Sequence, residues 1–345
     1  HRILVSGTFT TEPLLAPLAF LADRLGVPVS AEVRGYGQVH QQLLAPASDF
    51  AQNQSGLNVA LVRWDDLVSG GDGDLHAAAM RAAAELEASL RAAAPRMRVP
   101  VALVLGNSSL PAVTRIDDVE AELARRRADG GGVVVVTSAW IRQRYGVRDW
   151  YDAAGEKVGH IPYTDAYYAA LATTILRVHA LGSAPARKVI VLDCDNTLWG
   201  GVCGEVGATG VDVEGSWRVL QEFMVQKAEE GWLLCLASKN VESDVRAVFD
   251  AHPDMPLRWE HVVAWRIDWN RKSENLLHLA DELNLGIGAF VLLDDSPVEC
   301  GEVRSTLPEV LVLQLPQDPS AIPSFLDHAW GLDTLRVTAE DRRRT

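Results

Sequence analysis

Two aspartates one residue apart, Asp193 and Asp195, follow directly on the apolar run Val189-Ile190-Val191-Leu192, and Thr197 lies two positions further on. Carboxylates that close repel one another unless a proton or cation intervenes, and their hard oxygens favour magnesium. A second acidic pair, Asp294-Asp295, ends the apolar run Phe290–Leu293. The run Leu233–Ala237 ends in Ser238, a hydroxyl suited to a phosphate oxygen. Lys272 stands just before the helical stretch Ser273–Leu283, where an ammonium and a helix N-terminus both favour an anion. Taken singly, each residue has an ordinary structural use as a helix cap or surface charge. In order, each at the end of a strand or the start of a helix, they describe a site for a divalent cation and a phosphate.

The elements that must position these residues read as an α/β unit from Lys188 onward. Strands are expected at Val189–Leu192, Trp232–Ala237, His261–Ala264, Phe290–Leu293 and Val310–Leu313, with helices at Trp217–Glu230 and Ser273–Leu283. Ligands of a parallel sheet bind outside the carboxyl ends of its strands, which places all four motifs on one edge. The first half alternates in the same way. Strands are expected at Ile3–Gly7, Pro28–Val33, Asn58–Val62, Val99–Leu105 and Gly132–Thr137, the last preceded by a turn at Gly130-Gly131-Gly132. Helices are expected at Leu14–Leu25, Asp74–Ala94 and Thr164–Leu181. The fold class is therefore α/β, with two domains, 1–182 and 187–345, each a parallel sheet with helices on both faces. A short linker at 182–186 joins them, and the charged end 340–345 reads as a solvated segment.

A chain of 345 residues is long enough for two cores. Its net charge of -14 argues against a nucleic-acid backbone as the main partner. No run approaches a membrane helix and no leader segment is expected, so the expectation is a cytoplasmic protein with no membrane partner. The four cysteines, Cys194, Cys203, Cys235 and Cys300, are too few for a disulfide framework and form no CxxC pair.

The motifs resemble those of the haloacid dehalogenase superfamily: DxDxT at Asp193, Asp195 and Thr197, then Ser238, Lys272, and Asp294 with Asp295. The resemblance covers about the last 155 residues. It implies a Mg²⁺-dependent enzyme in which Asp193 attacks phosphorus and Asp195 serves as general acid and base. Ser238 and Lys272, with the neighbouring Thr197, Lys239 and Asn240, would hold phosphoryl oxygens. Mg²⁺ would sit on Asp193, the Asp195 carbonyl and Asp294, with Asp295 ligating or orienting. Only 33 residues separate Ser238 from Lys272, so the cap should be minimal.

The longer stretch from Asp193 through Trp199-Gly200-Gly201-Val202-Cys203-Gly204-Glu205 is more specific. With Ala237-Ser238-Lys239-Asn240, Lys272-Ser273-Glu274-Asn275 and Asp294–Cys300, it is similar to the FkbH-type glyceryl transferases of polyketide biosynthesis, subfamily IIIC. That family carries an SGNH-hydrolase-like domain first, which Tyr36-Gly37-Gln38 and Gln41-Gln42-Leu43-Leu44 resemble. The resemblance implies transfer of a glyceryl group from 1,3-bisphosphoglycerate, with dephosphorylation, through an enzyme cysteine thioester to the phosphopantetheine thiol of an acyl carrier protein. Strand alternation turns Cys194 into the core. Cys203 lies on a flap where Gly200, Gly201 and Gly204 permit close approach, so it is the favoured acyl carrier, with Cys194 the alternative. In the first domain Ser6 is in place, but Asp165-Ala166-Tyr167-Tyr168 carries tyrosine where the SGNH histidine would be, and His160 cannot fill that helical position. That domain is expected to be non-catalytic, a cover or carrier-protein dock. Two rival readings remain open: a phosphatase of a small phosphorylated metabolite, and a carrier-protein-binding module with a vestigial site.

Overall fold

The computed structural model describes residues 1–68, 74–127, 131–183 and 187–334. Residues 184–186 of the expected linker, Gly130 of the expected turn and the charged end 340–345 lie outside the described residues. The chain divides into two compact units, His1–Ala184 and Pro185–Thr345.

Unit 1 runs β1 (Arg2–Gly7), α1 (Leu15–Arg24), β2 (Ser30–Val33), α2 (Val39–Leu44), α3 (Asp49–Gln52), β3 (Gly56–Val62), α4 (Leu75–Ala93), β4 (Val101–Leu105), α5 (Ile116–Arg127), β5 (Val133–Val136), α6 (Ser138–Tyr145), α7 (Ala153–Gly159) and α8 (Asp165–Ser183). Its strands pair in parallel in the order β2-β1-β3-β4-β5. Ser6 and Gly7 therefore reach the carboxyl edge of the second strand in that order, beside the end of β3.

Unit 2 runs β6 (Val189–Leu192), α9 (Cys203–Val206), α10 (Ser216–Glu229), β7 (Leu233–Ser238), α11 (Glu242–Ala251), β8 (Val262–Ile267), α12 (Lys272–Leu283), β9 (Phe290–Asp294), α13 (Pro297–Thr306), β10 (Leu311–Gln314) and α14 (Ile322–Asp327). All pairs are parallel, in the order β10-β9-β6-β7-β8. The chain leaves β6 toward β7 and β8, then returns to build β9 and β10 on the other side. That reversal opens a crevice between the ends of β6 and β9, where ligands of open parallel sheets bind.

Successive residues of a strand point to opposite faces, and here the two faces separate cleanly. Ile190, Leu192, Leu234, Leu236, Val291 and Leu293 pack with α10, α11 and α14 residues such as Leu220, Met224, Val248 and Ile322. Val189, Val191, Cys235, Phe290 and Leu292 pack on the other face with Leu276, Leu279, Cys300 and Val303 of α12 and α13. Both faces being covered, the strands have to read as continuous apolar runs, which is why the sequence shows them without polar alternation. Among the described residues, the flap, α9 and α10 lead from the first motif to β7, and α11 and β8 lead from Ser238 to Lys272, so no cap domain is inserted there.

Candidate active site

The four motifs converge at the carboxyl edge of the unit 2 sheet. Asp193 follows β6, Asp294 ends β9, Ser238 ends β7, and Lys272 opens α12. Lys272 is 2% exposed and its ammonium donates to Asp193 Oδ1 at 2.7 Å and to Asp294 Oδ2. Asp294 is fully buried, and its second oxygen accepts from the Ser296 backbone N–H at 2.8 Å. Burial disfavours a lone ammonium, but the Asp193 and Asp294 charges outweigh this and hold Lys272 above its ordinary pKa. Burial, the largest influence on Asp294, raises it despite Lys272, and burial with the Asp193 charge raises Asp295 as well.

One oxygen each from Asp193, Asp294 and Asp295 lies within 4.8 Å of the others. Three carboxylates against the single Lys272 ammonium leave an excess of two negative charges in a covered site. A divalent cation with a preference for oxygen ligands neutralises that excess and suits an all-carboxylate donor set. The residues present fit such an ion.

Asp195 faces elsewhere. Its Oδ1 accepts from Trp199 Nε1 at 2.9 Å and from the Cys203 backbone N–H at 3.0 Å, and its Oδ2 accepts from Asn240 Nδ2 at 2.7 Å. Three donors lock the carboxylate in one orientation, apart from the acidic trio. Asp195 was expected to reach the metal through its carbonyl, and the commitment of its carboxylate to these donors leaves that backbone atom as its available ligand. Asn196 adopts a left-handed conformation (φ 53°), accepts from Gly201 N–H at 2.9 Å, and so ties the flap to the motif. Gly200 is required on that flap, because a Cβ there would stand 2.7 Å from Trp217 Nε1.

The remaining residues expected on phosphoryl oxygens have these surroundings. Asn240 donates to Asp195 Oδ2 and its amide oxygen accepts from the Cys203 thiol. Lys239, also expected there, pairs with Glu299 at 2.8 Å. Thr197 is fully buried, and its hydroxyl finds no hydrogen-bond partner among the described residues. Ser238 is 2% exposed, at the foot of the site. Sequence reasoning missed Trp199 as an Asp195 donor, although it lies four residues on in the same quoted stretch. It also missed Glu302, which accepts from the Ser273 N–H and hydroxyl and steadies the α12 N-terminus beneath Lys272.

Cys203 was expected on an accessible flap, but it is 3% exposed and belongs to the same buried core as Cys194. Its flap folds down because Asp195 and Asn240 bind it: the thiol donates to Asn240 Oδ1 at 3.6 Å and lies within hydrogen-bonding reach of Asp195. Burial first, then the Asp195 charge, pushes the thiol up to about 12, and Cys194 is likewise raised by burial. Only the thiolate is a good nucleophile toward alkylating reagents. Iodoacetamide at pH 8 should therefore label native Cys203 slower than a free thiol by roughly 10³-fold, and denaturant should expose all four cysteines. Rapid labelling of Cys203 in the native protein, read by peptide mass spectrometry, would contradict this placement.

In unit 1 Ser6 is fully buried and its hydroxyl finds no partner among the described residues. His160 is committed to Glu156 at 3.0 Å and Asp66 at 3.2 Å, and the Tyr168 hydroxyl donates to the Thr10 carbonyl at 2.9 Å. No helix among the described residues is long and apolar enough to cross a membrane.

No protein-family model matches this chain, and no curated protein matches it in sequence. In structure it is similar to the crystallised N-terminal part of the protein BF1531 from Bacteroides fragilis, which contains a phosphatase domain and was complexed with Mg. The TM-score is 0.77 at 21% identity, over 97% of this chain and 94% of that one. The likeness establishes the α/β fold of both units. A Pnkp1/Rnl/Hen1 complex also aligns, at 11% identity over 91% of this chain and 96% of that one, but its TM-score of 0.29 says nothing about the fold.

Proposed function

We propose that unit 2 catalyses magnesium-dependent phosphoryl transfer, with Asp193 as the nucleophile. The observation that carries this reading is the trio of carboxylate oxygens within 4.8 Å of one another, joined to Lys272 at the switch point of the sheet. The likeness to a Mg-complexed phosphatase domain supports it. Asp193, Asp294 and Asp295 would hold Mg²⁺, which when bound offsets charge on the phosphoryl oxygens. Asp193 attacks phosphorus and the bond to the leaving oxygen breaks. Asp195, held by Trp199, Asn240 and the Cys203 N–H, gives that oxygen a proton and then takes one from the water that cleaves the aspartyl phosphate. Lys272 and Ser238 bind the equatorial oxygens.

The finer reading is glyceryl transfer from 1,3-bisphosphoglycerate to an acyl carrier protein. Its support is the placement of Cys203, whose thiol has the Asp195 carboxylate in reach. Cys203 Sγ attacks the acyl carbon, its proton passes to Asp195, and the C–O bond to phosphate breaks to leave a thioester. The carrier's phosphopantetheine thiol then displaces Cys203. A thiol raised to about 12 suits this role only if deprotonated during attack, which is what an adjacent general base provides. Cys194 is fully buried in the same hydrophobic core and is the alternative carrier. Unit 1, with an unpartnered Ser6 and a committed His160, is read as an SGNH-like, non-catalytic domain that docks the carrier.

The test is intact-protein mass spectrometry after incubation with 1,3-bisphosphoglycerate and Mg²⁺, on the native sequence, Cys203→Ala and Cys194→Ala. A hydroxylamine-sensitive glyceryl adduct lost only in Cys203→Ala is expected. Phosphate release without any adduct would leave a phosphatase and remove the transfer step.

A further inference from the structure

α9 is a single turn, Cys203–Val206, and of its four residues only Cys203 is buried. A helix this short has little stability of its own, because fixing the first turn costs more than its hydrogen bond returns. Its place beside Asp195 therefore depends on tethers. At its start the Cys203 N–H donates to Asp195 Oδ1 at 3.0 Å, and the thiol donates to Asn240 Oδ1 at 3.6 Å. Past its end the chain turns at Gly207 (φ 77°), and the Ala208 carbonyl accepts from His252 Nε2 at 2.9 Å in a partly buried contact. A carbonyl only accepts, so this contact sets Nε2 as a nitrogen that carries a proton.

Asn240 and His252 stand at the two ends of one helix. Asn240 lies two residues before α11, and His252 is its C-cap. α11 is seated in the core by Val245, Val248 and Phe249, and Phe249 meets the Trp199 ring edge-on at 5.9 Å. The segment from Cys203 to Ala208 is thus strung between the ends of a fixed strut, with His252 as its second attachment. His252 belongs to none of the four motifs and lies 44 residues from Ala208 in the chain.

We infer that His252 is a positioning residue for the active site. It holds α9 down, and so keeps the Cys203 N–H on Asp195 and the Cys203 thiol against Asn240. It acts through Ala208 and touches no reacting atom. The inference rests on the reading of Asp195 and Cys203 as working groups, and adds to it a side chain outside the motifs that governs access to the thiol. Loss of one hydrogen bond of this kind raises the open fraction of the flap by about fivefold.

The experiment is iodoacetamide labelling of the native full chain at pH 8, with His252→Phe and His252→Gln alongside, read by peptide mass spectrometry at Cys203 and Cys235. Phenylalanine keeps a ring and removes the donor, whereas glutamine retains an N–H. Cys235 is fully buried within β7, in the core of the opposite sheet face, so its labelling reports opening of the whole unit. Cys203 should label about fivefold faster in His252→Phe, with the Cys235 rate unchanged and the native Cys203 rate restored in His252→Gln. An unchanged Cys203 rate in His252→Phe, equal acceleration at both cysteines, or no recovery in His252→Gln overturns the role of His252. Labelling uses no substrate, so the phosphoryl-transfer reading stands or falls separately, on phosphate release by Asp193→Asn.

Discussion

Asp193→Asn should abolish phosphate release in the presence of Mg²⁺, with a fall in turnover of about 10⁴-fold or more, as expected when a covalent nucleophile is removed. The amide keeps the size of the carboxylate and an oxygen for Lys272, now 2.7 Å from Asp193 Oδ1. It also removes one of the excess negative charges of the acidic trio, so the metal-free protein should melt no lower than the native one. Unimpaired folding with lost chemistry separates the nucleophile from the scaffold. Asp195→Asn should behave differently. The nucleophile remains, but the acid and base that serve both half-reactions are gone, and the loss should be about 10²–10⁴-fold. Steady-state phosphate release and a thermal melt on each variant supply the measurement. Turnover by Asp193→Asn within tenfold of the native rate would remove the assignment altogether.

The second large effect is on stability. Lys272→Met removes the ammonium that both Asp193 and Asp294 contact, leaving a fully buried carboxylate and a mostly buried one facing each other. Breaking a buried pair in this way costs about 3–5 kcal/mol, which for a domain of this size lowers Tm by roughly 10–15 °C. The sign with pH follows from the direction of the shifts. Asp294 is already raised above its unfolded value by burial, so its favourable share is present at low pH and is lost as pH rises through the folded value. Without Lys272 that rise grows, and the deficit of the variant should be larger at pH 8 than at pH 5. Lys272 itself is raised, so its share persists across neutral pH and disappears only above the ordinary lysine range. Mg²⁺ should restore part of the lost Tm, because it neutralises the same carboxylates, whereas EDTA should give the full deficit. Phosphate release should fall by at least about 10²-fold, since a charge aimed at the phosphoryl oxygens is lost. A variant as stable as the native protein in EDTA would mean that the trio is not held by Lys272.

The sequence alone determined the architecture and the ends of its strands. Val189–Leu192, Leu233–Ala237 and Phe290–Leu293 are covered by helices on both faces, and only uninterrupted apolar runs tolerate that burial. A polar residue that ends such a run is placed at the edge of the sheet by the chain itself, so Asp193, Ser238 and Asp294 were legible without coordinates. Parts of unit 1 were not. The short α2, α6 and α7 and the strongly polar α5 have helical periodicity too brief or too charged to stand out from loops. Strand order was also beyond the sequence, since β9 returns beside β6 only through packing over long separations.

The same limit applied within the site. Asn240 reaches Asp195 across 45 residues, Lys239 reaches Glu299 across 60, and Lys272 reaches Asp193 across 79. Residue types and strand ends predicted that these groups share an edge, but only tertiary structure decided which of them touch. Cys203 is the clearest instance: its glycine-rich neighbours suggested an exposed flap, and three-dimensional contacts with Asp195 and Asn240 folded it inward. Local chain chemistry sets which residues arrive at an edge, because it depends on near neighbours. Partnership there depends on side chains brought together from opposite ends of a domain, and that is settled only when the core has packed.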